Sequence, residues 1–214
     1  MSATTIVIAD SVDSCRDYLE GFILKNRNEY QLLHTAANAL EALSAAKQFQ
    51  PNLIIIDVGL PGMCSLELSQ HVVQHCPNTR IIARASEDIP YHARRMVKAG
   101  ARGILSKTAC NDELKHCLNW VHQDNLHLPA ECRHLHLSKF AQERELDDFK
   151  LEVLRKICLA KTLEQIKDEL YACFSRVRRA KEYINTLAGT SDRDGIMRWA
   201  YLHGYVSLKE CWGL

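Results

Sequence analysis

Two acidic residues and one lysine are the residues of this chain whose types and spacing could do chemistry. Asp10 follows the apolar run Ile6–Ala9, and Asp57 follows the apolar run Leu53–Ile56. Lys107 follows a weaker apolar run later in the chain. Carboxylates facing a lysine suit a divalent cation and a phosphoryl group, because Mg²⁺ is typically held by one or two carboxylates plus phosphate oxygens. A carboxylate can also be the nucleophile that takes up a phosphoryl group.

Short apolar runs and longer amphipathic stretches alternate through residues 1–124, the first predicted domain. Strands are predicted at Ile6–Ala9, Gln31–Ala36, Leu53–Ile56, Ile81–Ala83 and Gly103–Leu105, and helices near 12–25, 38–49, 63–76, 90–99 and 111–123. This alternation predicts βαβ units and a parallel sheet. We therefore expect an α/β doubly wound, five-stranded parallel sheet, whose strands converge at their carboxyl ends on one crevice.

The rest of the chain has a different pattern. Residues 125–145 are rich in His, lack a clear period and are interpreted as a linker. Residues 146–214 carry four apolar stripes at helical spacing and no convincing strand. They predict a small all-α domain of four helices.

The second and third of these helices predict a helix-turn-helix. A helix at 162–170 is followed by a three-residue turn and a helix at 174–188, and the later helix of such a motif enters the major groove of DNA. Four cations lie near its start: Arg176, Arg178, Arg179 and Lys181. Arginine can bond guanine bidentately or pair with phosphate. A solvated helix face is the alternative interpretation of this charge run.

The first domain resembles the receiver domains of NarL/FixJ response regulators, whose fold is flavodoxin-like. The resemblance covers residues 4–122 and depends on Asp10, Asp57, Leu60-Pro61-Gly62, Ala99-Gly100-Ala101 and Lys107. It implies that Asp57 is the phospho-acceptor, that Asp10 and Asp57 hold Mg²⁺, and that Lys107 contacts the phosphoryl group.

Four positions depart from the receiver pattern. Ser11 stands where a second acid is usual, and Ala85 stands where a Thr or Ser is expected, although Ser86 is adjacent. Ile104 replaces the aromatic switch residue, and Ser65 replaces a glycine in the loop after the acceptor. Losing a carboxylate weakens a Mg²⁺ site, and losing a hydroxyl removes a hydrogen bond worth ~1 kcal/mol. We therefore expect an atypical pocket, with weak Mg²⁺ binding and no other cofactor.

Residues 146–206 resemble the LuxR-type DNA-binding domain. The matching segments are Leu151–Leu154, Gln165-Ile166, Glu169-Leu170, Val177, Ile184 and Leu202–Val206. The family's DNA contacts carry over best to Arg178 and Arg179, whereas Glu182 stands where a basic or small residue is common. The resemblance also implies a homodimer with 192–203 as its DNA-bound contact.

Other features exclude some functions and leave a few open. The longest apolar runs are too short to span a membrane, no secretory signal is visible, and nine scattered cysteines favour reduced thiols in a cytoplasmic protein. His127, Cys132, His134 and His136 could supply zinc ligands, but their spacing matches no strong zinc pattern. Cys15 and Cys173 could sense redox state, although a buried structural role is the expected one.

The sequence therefore predicts a DNA-binding transcriptional response regulator, and not an enzyme. Its partners would be promoter DNA, a sensor histidine kinase and a second copy of the chain. Control could act through phosphorylation of Asp57 or, with the atypical pocket, independently of it. The alternative is a protein-interaction adaptor, in which the degenerate receiver and the helical domain have no DNA target.

Overall fold

The computed structural model describes residues 3–132 and 146–207, which fall into two compact units that divide after residue 133. Within these described ranges, no helix is both long enough and apolar enough to cross a membrane.

The first unit is a five-stranded sheet in the order β2-β1-β3-β4-β5, and all its pairings are parallel. Its strands are β1 (Thr4–Ala9), β2 (Tyr30–Ala36), β3 (Leu53–Asp57), β4 (Arg80–Ala85) and β5 (Ala101–Ser106). Its helices are α1 (Asp13–Lys25), α2 (Ala39–Phe49), α3 (Ser65–His75), α4 (Ile89–Lys98) and α5 (Asn111–His122). The predicted doubly wound, flavodoxin-like fold is confirmed.

One face of the sheet packs against α1 and α5. Ile8, Ile55, Ile82 and Leu105, one from each of four neighbouring strands, belong to the same buried cluster as the apolar residues of these two helices. Side chains alternate between the faces of a strand, so a residue two positions further along points to the same face. The residues two positions beyond this apolar row therefore form the next row on the same face, at the carboxyl ends of the strands.

The turn between α4 and β5 requires a glycine. Gly100 has a φ of +104°, in the region that L side chains rarely adopt. A Cβ at this position would also lie 2.5 Å from Cγ2 of Val73. This turn sets where β5 begins, and β5 leads to Lys107.

The chain beyond α5 continues to pack on the first unit. Residues 125–145 are predicted to be a linker, but the structure places 125–132 with the sheet. The N–H of His127 donates to the carbonyl of Arg102 (2.8 Å), and the His127 carbonyl accepts from the N–H of Ile104 (3.0 Å). These bonds form a short parallel bridge along β5, and the 3₁₀ turn Ala130–Cys132 then buries Cys132 completely. The remainder of the predicted linker, 133–145, lies outside the described residues.

The described part of the second unit contains four helices: α6 (Asp148–Cys158), α7 (Leu163–Glu169), α8 (Phe174–Ala188) and α9 (Arg193–Leu202). They pack around one apolar core, which confirms the predicted helical domain. A capping box between Thr162 and Gln165 starts α7. Tyr171, with a φ of +48°, lies in the turn that separates α7 from α8.

Candidate functional site

The carboxylates of Asp10 and Asp57 meet the ammonium of Lys107 at the carboxyl end of the sheet. Nζ of Lys107 lies 2.9 Å from Oδ2 of Asp57 and 3.0 Å from Oδ2 of Asp10. It also donates to Oδ1 of Asp10 at 3.2 Å. Asp10 is 1% exposed and Asp57 is 6% exposed, so these charges interact where water screens them poorly.

Backbone amides fix the orientation of both carboxylates. The N–H of Gly59 donates to Oδ1 of Asp57 (3.1 Å), and the N–H of Val12 donates to Oδ1 of Asp10 (3.0 Å). Asp57 is therefore held on Oδ1 by its own loop and on Oδ2 by the lysine, whereas Oδ1 of Asp10 accepts from both its own loop and the lysine.

The two carboxylates also keep Lys107 charged. Burial alone would lower the pKa of this ammonium, but the hydrogen bonds and negative charges of Asp57 and Asp10 outweigh burial and raise the pKa above its ordinary value of 10.5. The lysine is thus the fixed counter-charge of the pocket at neutral pH.

The other predicted pocket residues add no buried polar group to this cluster. Ser11 and Ser86 are exposed, and Ala85 is a buried residue at the end of β4. Ile104 is fully buried in β5. The structure therefore brings three predicted residues together and supplies no hydroxyl at Ala85.

Arg84 belongs to the pocket and was missed by the sequence analysis. It is only 3% exposed, and its Cα is in register with that of Asp57 on the neighbouring strand. Its Nη2 donates to the carbonyl oxygen of Lys107 at 3.0 Å. The signal that could have revealed it is an arginine inside the apolar stretch 81–85, where strands covered on both faces are normally apolar.

The residues as they are placed do not fit a resident Mg²⁺. Such a cation would need the carboxylate oxygens that the Lys107 ammonium already contacts, and buried Arg84, whose Cα is in register with that of Asp57, adds a further positive charge on the neighbouring strand. Ser11 adds no negative charge. The weak Mg²⁺ site expected at Asp10 and Asp57 stays a prediction.

The second candidate site is the outer face of α8. Val177, Ala180 and Ile184 anchor this helix in the core of the second unit, so its opposite side is free to present cations. Arg178 and Arg179 are exposed there. Arg178 pairs with Glu182 one turn later (3.0 Å), and Nε of Arg179 donates to the backbone of its own helix.

The other two predicted cations of α8 are less free. Arg176 is exposed, and its guanidinium stacks over the ring of Phe149 at 3.9 Å from the ring centroid. This cation–π contact, which is typically worth about 0.5–1 kcal/mol at exposed sites, holds it against α6. Lys181 is half-buried. Of the four, Arg178 and Arg179 are exposed and bond within their own helix, whereas Arg176 contacts α6 and Lys181 is half-buried.

The remaining sequence candidates are only partly described. Among the described residues, no group of three His, Cys, Asp or Glu side chains could hold a metal ion, and His134 and His136 lie outside those residues. The buried role expected for Cys173 is wrong, because this residue is exposed at the start of α8. Its pKa is lowered by a hydrogen bond to Ser175 and by backbone amides of the helix start. Cys15 is half-buried.

The sheet order and the acidic pocket at its carboxyl edge define the first unit as a receiver-type domain. The family described as response regulator receiver domain matches residues 6–119, and the chain belongs to that family. The likeness in fold to solved structures extends over 96% of the chain and so includes the helical unit.

Three known proteins illustrate the likeness. The transcriptional regulatory protein LnrK of Bacillus subtilis is 22% identical over 88% of this chain and 92% of its own length. The oxygen regulatory protein NreC of Staphylococcus aureus is 23% identical over 91% of this chain and 95% of its own. RcsB from Salmonella enterica serovar Typhimurium, solved bound to the promoter rprA with a phosphomimetic, has a TM-score of 0.66 at 16% identity and covers 95% of this chain and 100% of that one.

Proposed function

We propose that this chain is a DNA-binding transcriptional response regulator of a two-component-type system, acting in the cytoplasm as a regulator and not as an enzyme. The observation that carries this proposal is α8, which is fixed by its apolar side and exposes Arg178 and Arg179 on the other. The names of LnrK and NreC and the promoter-bound state of RcsB support it.

The dimensions and contacts of α8 suit a recognition helix. Its 15 residues span about 22 Å at 1.5 Å per residue, enough to lie in a major groove. The ion pair between Arg178 and Glu182 is exposed on both sides, so it contributes little and can be exchanged for a phosphate or a base edge at small cost. Glu182 can then accept a hydrogen bond from cytosine N4, which gives the helix a sequence preference of its own.

Salt dependence tests the proposal directly. Fragments selected from a random DNA pool are labelled and titrated with the full chain, and binding is followed by fluorescence anisotropy over a range of salt concentrations. We expect a steep linear fall of log affinity with log salt, because bound cations displace counterions from phosphate. Replacing both Arg178 and Arg179 by Ala should abolish specific binding. The salt dependence of the remaining non-specific binding should have a slope smaller by about 1 per lost phosphate contact.

A matched control separates contact from net charge. The double variant Arg80→Ala/Arg102→Ala also loses two arginines, but from the first unit, and should bind DNA as the wild type does. If no DNA is selected, or if the two double variants lose affinity equally, the DNA-binding proposal fails. The adaptor function would then be the better explanation of the exposed face of α8.

We place the dimer contact on α9 and propose that two chains bind one DNA site. One small helical module rarely reaches the affinity or the site length that a specific regulator needs. Sedimentation of the full chain with a selected duplex should give two chains per duplex. A complex of one chain per duplex at saturation would contradict the dimer.

Asp57 is the proposed acceptor should a sensor kinase act on the chain, because it is the carboxylate that ends the central strand and bonds Lys107. Incubation with acetyl phosphate, with and without Mg²⁺, followed by intact mass, should add one phosphoryl group to the wild type and none to Asp57→Asn. An unmodified wild type would leave phosphorylation-independent control as the working mode.

A further inference from the structure

Four charged residues stand side by side on one face at the carboxyl end of the sheet. Asp10, Asp57, Arg84 and Lys107 lie two positions beyond the buried row of β1, β3, β4 and β5, respectively. Cα pairing places Arg84 directly opposite Asp57. In the order of the strands, the row reads carboxylate, carboxylate, guanidinium, ammonium.

The guanidinium of Arg84 is buried without a carboxylate bonded to it. Among the described residues, its hydrogen-bond acceptor is the Lys107 carbonyl, and its Nη1 is buried with no partner. The ring of Tyr18 lies 5.9 Å from the guanidinium carbon, which is a weak cation–π distance. An uncompensated buried cation is costly, so its charge must be balanced through space.

The two carboxylates of the same row can provide that balance. Adjacent strands are about 4.8 Å apart, and a low effective dielectric lets charges interact over that separation. Lys107 contacts both carboxylates, yet it supplies one positive charge against two negative ones. Arg84 supplies the second, and the row becomes neutral.

We propose that Arg84 is a built-in counter-cation, which neutralises the pocket together with Lys107 and takes the electrostatic place of a divalent cation. The pocket then keeps its carboxylates in position without a metal ion, and it gains affinity for one only when Arg84 is removed. This inference concerns the first unit alone and does not depend on DNA binding.

The test is a titration of the full chain with Mg²⁺ alone. The amides of Val12 and Gly59 donate to the two carboxylates, so their ¹H–¹⁵N chemical shifts report on the pocket. In the wild type we expect no saturable shift with a dissociation constant below about 1 mM. In Arg84→Leu we expect a saturable shift, with Mg²⁺ bound at least about tenfold more tightly than in the wild type, because a charge that repels the cation is gone.

Two variants show whether charge is the cause. Arg84→Lys keeps the positive charge and should bind Mg²⁺ as weakly as the wild type. Arg80→Leu removes an arginine from the opposite end of the same strand, with the same change in net charge, and should also behave as the wild type. If Arg84→Leu does not fold, Arg84→Met, which keeps the length of the stem, replaces it.

Two results would overturn the inference. One is a wild-type chain that binds Mg²⁺ with a dissociation constant below about 1 mM. The other is a folded Arg84→Leu or Arg84→Met variant that binds no tighter than Arg80→Leu. The wild-type titration needs no variant, so it can refute the inference by itself.

Discussion

Replacing Lys107 by Met should destabilise the first unit by about 3 kcal/mol, because removing one partner of a buried ion pair typically costs about 3–5 kcal/mol. The side chains that would lose their partner are only 2% exposed in Asp10 and 8% exposed in Asp57. We expect the lower end of that range, since Lys107 is itself 13% exposed and Arg84 remains as a positive charge on the strand next to Asp57. Met keeps the length of the stem, so the change tests the charge.

The assay is urea unfolding of the full chain at neutral pH, followed by circular dichroism. Lys115→Met is the matched control, since it removes the same group from an exposed pair with Glu29, whose side chains are 41% and 45% exposed. An exposed pair contributes about 0–1 kcal/mol. If the two variants were equally stable, the Lys107 ammonium would not be balancing buried charge, and the reasoning about the pocket would be refuted.

Three further changes test the packing and the backbone. Burial raises the pKa of Tyr30 from 10.0 to about 12, so this residue should contribute stability that is present below pH 10.0 and lost as the pH rises towards 12. Urea unfolding across that range should show the fall in stability, and Tyr30→Phe should reduce it. Gly103→Ala should destabilise the first unit by about 1–3 kcal/mol in thermal or urea unfolding, because the new Cβ would lie 2.9 Å from Ile82 and 3.0 Å from Cys117; an unchanged midpoint would contradict this packing. Tyr171→Gly should stabilise the second unit by about 1 kcal/mol, since Tyr171 is 98% exposed at a φ of +48° and glycine removes the strain; a lower midpoint would show that the tyrosine ring makes a stabilising contact.

Most of the architecture could be predicted because it depends on periodic patterns. The buried strand β3 is apolar at four successive positions, and the carboxyl ends of parallel strands must meet, which places Asp10 and Asp57 together. The predicted bounds of α8, 174–188, agree with the structure. Gly189, at a φ of +66°, ends this helix, and glycine is the usual residue in that position.

The features that could not be predicted depend on tertiary contacts without a sequence period. An arginine in a strand is expected to face water, and the burial of Arg84 follows from its row of neighbours across the sheet. The segment 125–132 has no repeating apolar pattern, because its attachment uses backbone hydrogen bonds of His127, which any residue type could make. Exposure of Cys173 likewise depends on how α7 and α8 pack.

The bridge at His127 also bears on how the first unit can be cut from the chain. Unpaired strand edges recruit other chains into aggregates, and β5 is an outer strand of the sheet. A fragment that stops at residue 124 would lack the His127 bridge, and the outer edge of β5 would be unpaired there. It would also lack the turn that buries Cys132. A fragment that runs to residue 132 keeps the His127 bridge on β5, and it should stay monodisperse at concentrations where the shorter fragment precipitates.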